Sequence, residues 1–589
     1  MARTVDLSIA NLPTARRSAR EYCRLIACCV LLTIAWADGR GEEASAPDAF
    51  DLLIRNGRVI DGSGNPWFRA DVGIRGDRIA AIGDLSDATA ARVIDARQSV
   101  VAPGFIDMHS HASWSYLVDP RCASKVTQGV TLEIEGEGHS VAPMDEAMVA
   151  RQMAGFRRFG VVPDWRTLGE FFARLEAKPA TINFATYVGT GTIRELVVGF
   201  DDRPATPPEL ARMREIADQA MREGALGVYS ALMYSPDRYN RTEELIELAR
   251  VASRYGGVYQ THPRSESDAF SEATDEVFRI AREAAIPAHI THIKVTYQQN
   301  WGRMPELIAR IEQARAAGLD ITADMYPYER AAASFVDLLP PWAQDGGRQA
   351  IVRRLRDAPT RERIKEALIT SAKDWENEYY GTKGGPSGIT LVDGRGNAKL
   401  RQYEGMTLER IAAAMKRDPR DALLDIVLMG DAYITTLITN EADIRLAIQQ
   451  PWVAFGSDGS TVAPDGPLST GLVHPRTYGA FPRVFGTYVR DLKLVRLEEA
   501  VRRATSFPAQ RLNIRDRGLL REGYFADVVI FDPAQIRDLA TYDKPHQYSK
   551  GIHHVLVNGQ VVLDDGNITA ARPGRVVRGP GFPRTAAAD

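Results

Sequence analysis

Residues Val100–Trp114 read VVAPGFIDMHSHASW, an apolar run that closes on two histidines separated by one serine. In an extended strand residues i and i+2 share a face. His109 and His111 are therefore expected to project together from the end of a buried strand, with Asp107 on the same side. That is a natural way to hold one cation. Such a pair also arises by chance at a strand end, so the rest of the chain decides what it means.

Working outward, apolar strand-like runs ending in polar residues alternate with helical stretches. The runs are VVAPGFIDMHSH, TLEIEG, TINFATYVG, GALGVYS, GVYQTH, AHITHIK, DITADMYPY and WVAFGSD. Between several of them lie amphipathic segments such as PPELARMREIADQAMREG, TEELIELARVASRYG and MPELIARIEQARAAG, each closing at a glycine as helix ends do. Eight strands alternating with helices predict an α/β fold, a (β/α)8 barrel over residues 103–505, with chemistry at the C-terminal ends of the strands. One connection, roughly Leu339 to Met429, is too long for a barrel loop and predicts an inserted lid subdomain at about 340–429. On either side of the barrel the pattern changes. FDLLIRNGRVIDGSGNPWFRADVGIRGDRIAAIG alternates apolar and polar residues with turns at Asn56-Gly57, Asp61-Gly62 and Gly76-Asp77, and ADVVIFDP and HHVLVNGQVVLDDGN repeat that texture near the end. A small β-sandwich built from residues 49–102 and 506–580 is expected, with a tail at 581–589.

The chain is 589 residues long, more than one small core accommodates. Lys+Arg at 73 nearly balance Asp+Glu at 76, so nothing advertises nucleic acid or an anionic membrane surface. The first residues differ from the rest. Arg16, Arg17, Arg20 and Arg24 precede LIACCVLLTIAWA, Leu25 to Ala37, which ends in Ala35-Trp36-Ala37. This has the form of a secretory signal over residues 1–37, followed by a linker at 38–48. The run is shorter than the roughly 20 residues a membrane span needs; an uncleaved anchor is the alternative. Cleavage after Ala37 removes Cys23, Cys28 and Cys29 and leaves Cys122 alone, which excludes an internal disulfide. A periplasmic or secreted protein with no stable membrane span after processing is the expectation.

The chemistry collects on strand ends. Of ten histidines, His109 and His111 end the first run, His262 ends GVYQTH and His292 lies at the end of AHITHIK, while Asp458 ends AFGSD. A carboxylate at the end of a buried strand is costly unless it is paired, hydrogen-bonded or on a metal. Converging at one barrel mouth, these groups predict a divalent-metal site, with Zn2+ favoured by mixed imidazole and carboxylate ligation. His289 precedes His292 by three and is expected to pack on the opposite face. Lys294 and Arg264 lie two residues beyond strand-end histidines, where they are candidates for a substrate carboxylate. His139 is expected to be a solvent-exposed loop residue, Cys122 to be inert, and His553 and His554 to sit in the terminal β piece.

At this point the chain resembles the D-aminoacylase (N-acyl-D-amino-acid deacylase) family of the amidohydrolase superfamily. The resemblance is carried by PGFIDMHSH, VTQGVT, EGALGVYSALMYSP, YQTHPRSE, THIKV, ADMYPY, FGSDG and HPRTYGAFPRVFGTYVR, and by EEAVRRATSFPAQRL and GIHHVLVNG. It implies that His109, His111, His262 and His292 are metal ligands and that Asp458 is both a ligand and the catalytic proton shuttle. It also implies pocket roles for Tyr326 and Arg476. Two positions depart from the family pattern. EGEGHSVAP places Glu137 where a GNCG-like turn commonly supplies a bridging cysteine, and Glu135 is the rival carboxylate two residues earlier. Thr190 in VGTGT replaces the histidine of GHGT. A carboxylate can bridge two cations as a thiolate does, so one or two zinc ions per chain are expected.

The implied reaction is amide hydrolysis that releases an acyl group from a D-amino acid. A dipeptide with a C-terminal D-residue or a cyclic amide is the alternative substrate, and the fold does not separate these. A non-catalytic binding protein on the same fold is the alternative from another class.

Overall fold

The computed structural model describes residues 49–583 apart from Ser113 and Lys373. The expected signal segment 1–37, the linker 38–48 and residues 584–589 of the tail lie outside the described residues.

The eight expected strands form a parallel barrel: β1 (Phe105–Asp107), β2 (Val130–Glu135), β3 (Asn183–Thr186, continued by Val188–Gly189), β4 (Gly227–Ala231), β5 (Val258–His262), β6 (Ala288–Ile290), β7 (Ile321–Met325) and β8 (Val453–Phe455). Pairing runs β1-β2-β3 and then from the continuation of β3 through β4, β5, β6 and β7 to β8. β8 meets β1 where the Met108 amide donates to the Phe455 carbonyl at 3.4 Å and where Ser110 and Gly459 form a parallel bridge. Helices fall where the glycine-terminated patterns lie. Pro207–Glu223, for example, starts with a Thr206/Glu209 capping box and stops at Gly224, whose φ of 115° suits a residue without a Cβ.

The first apolar run is divided between two domains. Val100–Pro103 pairs antiparallel with Val528–Phe531, and only from Phe105 does the chain enter the barrel. Gly104 allows the passage, since a Cβ there would lie 2.2 Å from the Thr131 hydroxyl oxygen. The two termini build one nine-stranded hydrogen-bonded network around its own core of Leu52, Ile54, Val72, Val101, Val528 and Leu556. Beyond Ile568 the chain leaves this sheet and runs back along β3. The Phe184 amide donates to the Arg575 carbonyl at 3.0 Å and the Val577 amide to the Phe184 carbonyl at 2.7 Å.

The insertion between β7 and β8 is wider than 340–429. Its antiparallel sheet uses Arg330–Ser334, Tyr433–Leu437 and Ile389–Asp393, in that spatial order, so both ends of the insertion are strands. Phe335, Leu338, Leu391, Leu408, Leu423, Ile426 and Ile434 form a core separate from that of the barrel. Among the described residues no helix is long and apolar enough to cross a membrane.

Candidate metal centre

The backbone just past β1 is fixed on both sides. The Ser110 amide donates to the Ile134 carbonyl at 3.0 Å, the His111 amide to the Gly459 carbonyl at 3.2 Å, and the Asp458 amide to the His109 carbonyl at 2.8 Å. Asp458 and His292 hold left-handed backbone, with φ of 49° and 33°. Such strain persists only where surrounding contacts over-determine it. Beneath the pair lies a sealed ionic cluster. Lys125, wholly buried, places Nζ 2.8 Å from Asp107, 2.9 Å from Glu133 and 2.6 Å from the Ser457 hydroxyl. Asp107 is thus not part of the cation-facing group; it anchors the strand end from below. Lys125 also donates to the Ser110 hydroxyl at 3.1 Å and the Gly459 carbonyl at 2.9 Å, so it ties together the residues flanking His109, His111 and Asp458.

Two groups of donor atoms face the mouth, His109, His111, Glu137 and Asp458 in one and Glu137, His262 and His292 in the other, each with its atoms within 4.8 Å of one another. Glu137 belongs to both. Its Oε2 lies 2.9 Å from His109 Nε2 and 3.1 Å from His111 Nε2. Its Oε1 lies 2.8 Å from His262 Nδ1 and 3.7 Å from His292 Nε2. Asp458 Oδ1 lies 2.9 Å from His111 Nε2 and its Oδ2 pairs with Arg476 at 2.8 Å. Four imidazoles around a carboxylate with one oxygen toward each group fit one or two divalent cations of the zinc kind.

The turn that delivers Glu137 depends on its glycines. Gly136 has φ of 112°, and a Cβ there would lie 2.7 Å from the Tyr187 carbonyl oxygen. Burial raises the Glu137 carboxyl, but the charge of His109 and hydrogen bonds from His109, His111 and His262 outweigh it and hold the group well below the usual range. The Asp458 carboxyl is likewise raised by burial but held well below its usual value, chiefly by the Arg476 guanidinium.

The other predicted residues fall in different places. Tyr326 is buried, its hydroxyl has no hydrogen-bond partner, and Arg476 stacks over its ring at 4.5 Å. Arg476 retains an unpartnered Nε. Lys294 is buried with Nζ 2.9 Å from Glu266 and 5.7 Å from the Tyr326 ring centre. Arg264 is committed elsewhere: it pairs with both oxygens of Glu276 at 2.9 Å and donates to the carbonyls of Arg238 and Asn240. That geometry makes it an anchor for the loop after β4, not a substrate ligand.

Glu135 accepts from the Ala112 amide and belongs to neither donor group. Thr190 donates to Asp237 at 2.6 Å and so fastens the same loop after β4. His289 is buried against Thr322 and Asp324, His139 is 43% exposed, and burial pushes the Cys122 thiol far above its usual value.

Sequence reasoning missed Glu266, Lys125 and Asp324. Glu266 lies 3.0 Å from His292 Nδ1 and 3.6 Å from His262 Nε2. Asp324, inside ADMYPY, accepts from the His292 amide at 3.0 Å and from His289 at 2.9 Å. A carboxylate at the fourth position of a buried strand was the signal for Asp324. Glu266 and Lys125 sit in a loop and a short helix, with no periodicity to mark them.

Comparison with known proteins agrees with this geometry. Residues 92–563 match the model described as "Amidohydrolase family". The chain belongs to the amidohydrolase family. This amidohydrolase is 36% identical over 535 residues to a D-aminoacylase of Alcaligenes xylosoxydans xylosoxydans, covering 90% of the chain and 97% of the relative. It is similar to the crystal structure of the N-acyl-D-glutamate deacylase of Bordetella bronchiseptica complexed with zinc and a phosphonate mimic of the tetrahedral intermediate, with a TM-score of 0.75 and 31% identity over 90% of this chain and 100% of the other. A D-aminoacylase structure concerned with that enzyme's binuclear metal center superposes with a TM-score of 0.75 at 33% identity, again over 90% and 100% of the two chains.

Proposed function

We propose that this amidohydrolase is a zinc-dependent deacylase that cleaves the amide of N-acyl-D-amino acids. The observation that carries the reading is Glu137, whose two carboxylate oxygens each face a separate histidine group. The acylated D-amino-acid specificity is supported by the D-aminoacylase and N-acyl-D-glutamate deacylase relatives. Zinc held by His109, His111, Glu137, His262, His292 and Asp458 would acidify water and polarise the scissile carbonyl.

The chain's own groups supply the rest. Asp458 orients the attacking water, takes its proton and returns it to the leaving amine. Its pairing with Arg476 keeps it ionised. Arg476, Lys294 and the unpartnered Tyr326 hydroxyl bind the substrate carboxylate, which fixes the acyl amide over the centre. The insertion excludes bulk water.

The test is amine release from a panel of N-acyl-D- and N-acyl-L-amino acids, mixed-chirality dipeptides and a hydantoin, on zinc-loaded and chelator-stripped protein. Zinc-dependent turnover of the D-acyl compounds is expected. Turnover confined to L-compounds, dipeptides or the hydantoin refutes the substrate assignment.

We further propose that residues 1–37 direct export and are removed, on the strength of the arginine-flanked apolar run ending at Ala37.

A further inference from the structure

The insertion reaches into the barrel through one carboxylate. Glu376 is 4% exposed, and its Oε1 accepts from the Glu266 amide at 2.9 Å, the Ser267 amide at 3.0 Å, the Ser267 hydroxyl at 2.8 Å and the Ser265 hydroxyl. All the donors belong to the loop just past β5, Ser265–Ser267. A buried carboxylate is costly to leave unpaired, and here a single oxygen collects four donors.

The loop it grips carries Glu266, which sits behind the second histidine group. His292 turns Nε2 toward Glu137 and Nδ1 toward Glu266, at 3.7 and 3.0 Å. His262 turns Nδ1 toward Glu137 and Nε2 toward Glu266, at 2.8 and 3.6 Å, and that Nε2 has no hydrogen-bond partner. A metal-binding imidazole needs its distal N–H directed at an acceptor, which fixes both ring orientation and tautomer. Glu266 does this for His292 and is the carboxylate that faces the unpartnered His262 Nε2, beyond hydrogen-bond reach. Glu266 also pairs with Lys294 at 2.9 Å, whose Nζ lies beside the same His292 Nδ1.

We infer that Glu376 is a positioning residue through which the insertion, by gripping the Glu266 loop, sets the cation affinity of the Glu137, His262 and His292 group. The inference rests on the metal reading above. It makes the insertion part of the metal centre's support as well as its cover, and it assigns Glu266 as the link.

The experiment is a competitive zinc titration against a chromophoric chelator on the full chain. It uses the parent, Glu266→Gln, Glu376→Ala, the Glu266→Gln/Glu376→Ala double variant and Ser265→Ala/Ser267→Ala, with thermal midpoints recorded in parallel. Loss of an outer acceptor typically weakens metal binding about ten- to a hundredfold. That loss is expected at one of the zinc steps in Glu266→Gln, with about tenfold in Glu376→Ala. The double variant should be no weaker than Glu266→Gln, because both changes act through one carboxylate. Ser265→Ala/Ser267→Ala, which removes two donors from the opposite side of the grip, should weaken the same step severalfold and serves if Glu376→Ala does not fold.

A lowered thermal midpoint with unchanged zinc affinity in either latch variant overturns the proposal, as does an effect that adds to that of Glu266→Gln. A parent that takes up no zinc overturns the metal reading itself, which separates the two failures.

Discussion

Replacing Lys125 by methionine keeps an unbranched side chain one atom shorter and removes its charge, which tests whether the sealed cluster under the histidine pair holds the centre in place. Nζ has five acceptors within 3.1 Å, and Lys125, Asp107 and Glu133 are all 0% exposed. The variant leaves two buried carboxylates facing one another without their cation. Breaking a buried ion pair in this way costs about 3–5 kcal/mol.

The loss is expected to depend on pH. Burial already holds the Asp107 carboxyl above its ordinary value, and Lys125 is the charge that pulls it back. Without the lysine Asp107 titrates higher still. A folded-state value above the unfolded one stabilises below the unfolded pKa, and the contribution is lost as pH rises through the folded value. The deficit of Lys125→Met should therefore be largest at pH 8 and shrink as pH falls toward about 4.

Urea unfolding followed by tryptophan fluorescence at pH 5 and pH 8 measures it. The variant's kcat should fall about a hundredfold at a pH where it is folded, since displacement of positioned groups by about 1 Å has that scale of effect and Ser110, Ser457 and Gly459 flank the acting residues. A stability within 1 kcal/mol of the parent, roughly the worth of an exposed ion pair, refutes the reasoning. So does a deficit that is the same at both pH values.

Asp458→Asn should keep much of the bound zinc, because the histidines remain, while losing nearly all turnover; near-parent activity with an unchanged pH profile would remove its role as proton shuttle. Glu137→Ala should lose at least one zinc per chain and most activity by elemental analysis and amine release, and Glu137→Cys should recover part of both, whereas parent stoichiometry in Glu137→Ala would reduce Glu137 to a turn residue. Intact-mass measurement on protein recovered from the native cell envelope should give a chain starting near Asp38, and a mass that includes Met1–Ala37 would count against export with cleavage.

The barrel and its order of strands were legible because alternation of short apolar runs with amphipathic helices is a local property, written within a dozen residues at a time. The cation-facing residues were legible because His109, His111, His262 and Asp458 close apolar runs, whereas strand period alone misplaced Asp107, which turns to Lys125 instead. The boundary at Gly104 was not. Val100–Pro103 and Phe105–Asp107 are one apolar run in sequence, and which sheet each half joins depends on Val528–Phe531, more than four hundred residues away. The insertion was recognisable by length, but its true ends are strands that count as strands only once Arg330–Ser334 and Tyr433–Leu437 pair.

By itself, then, the sequence determined the alternation that makes the barrel, the residues that crown its strands, and through motif resemblance the type of chemistry. Only the tertiary structure decided how those residues are supported. Lys125, Glu266 and Glu376 carry no periodic signature, because their worth comes from burial beside partners distant in the chain. Arg264 is set apart from Arg476 by the same cause: Glu276 and two carbonyls occupy the one, while the other stands against Asp458 and Tyr326 with an unpartnered Nε. Spacing had singled out Arg264 and motif resemblance Arg476, and desolvation beside a specific partner, which exists only in the folded chain, set their roles apart.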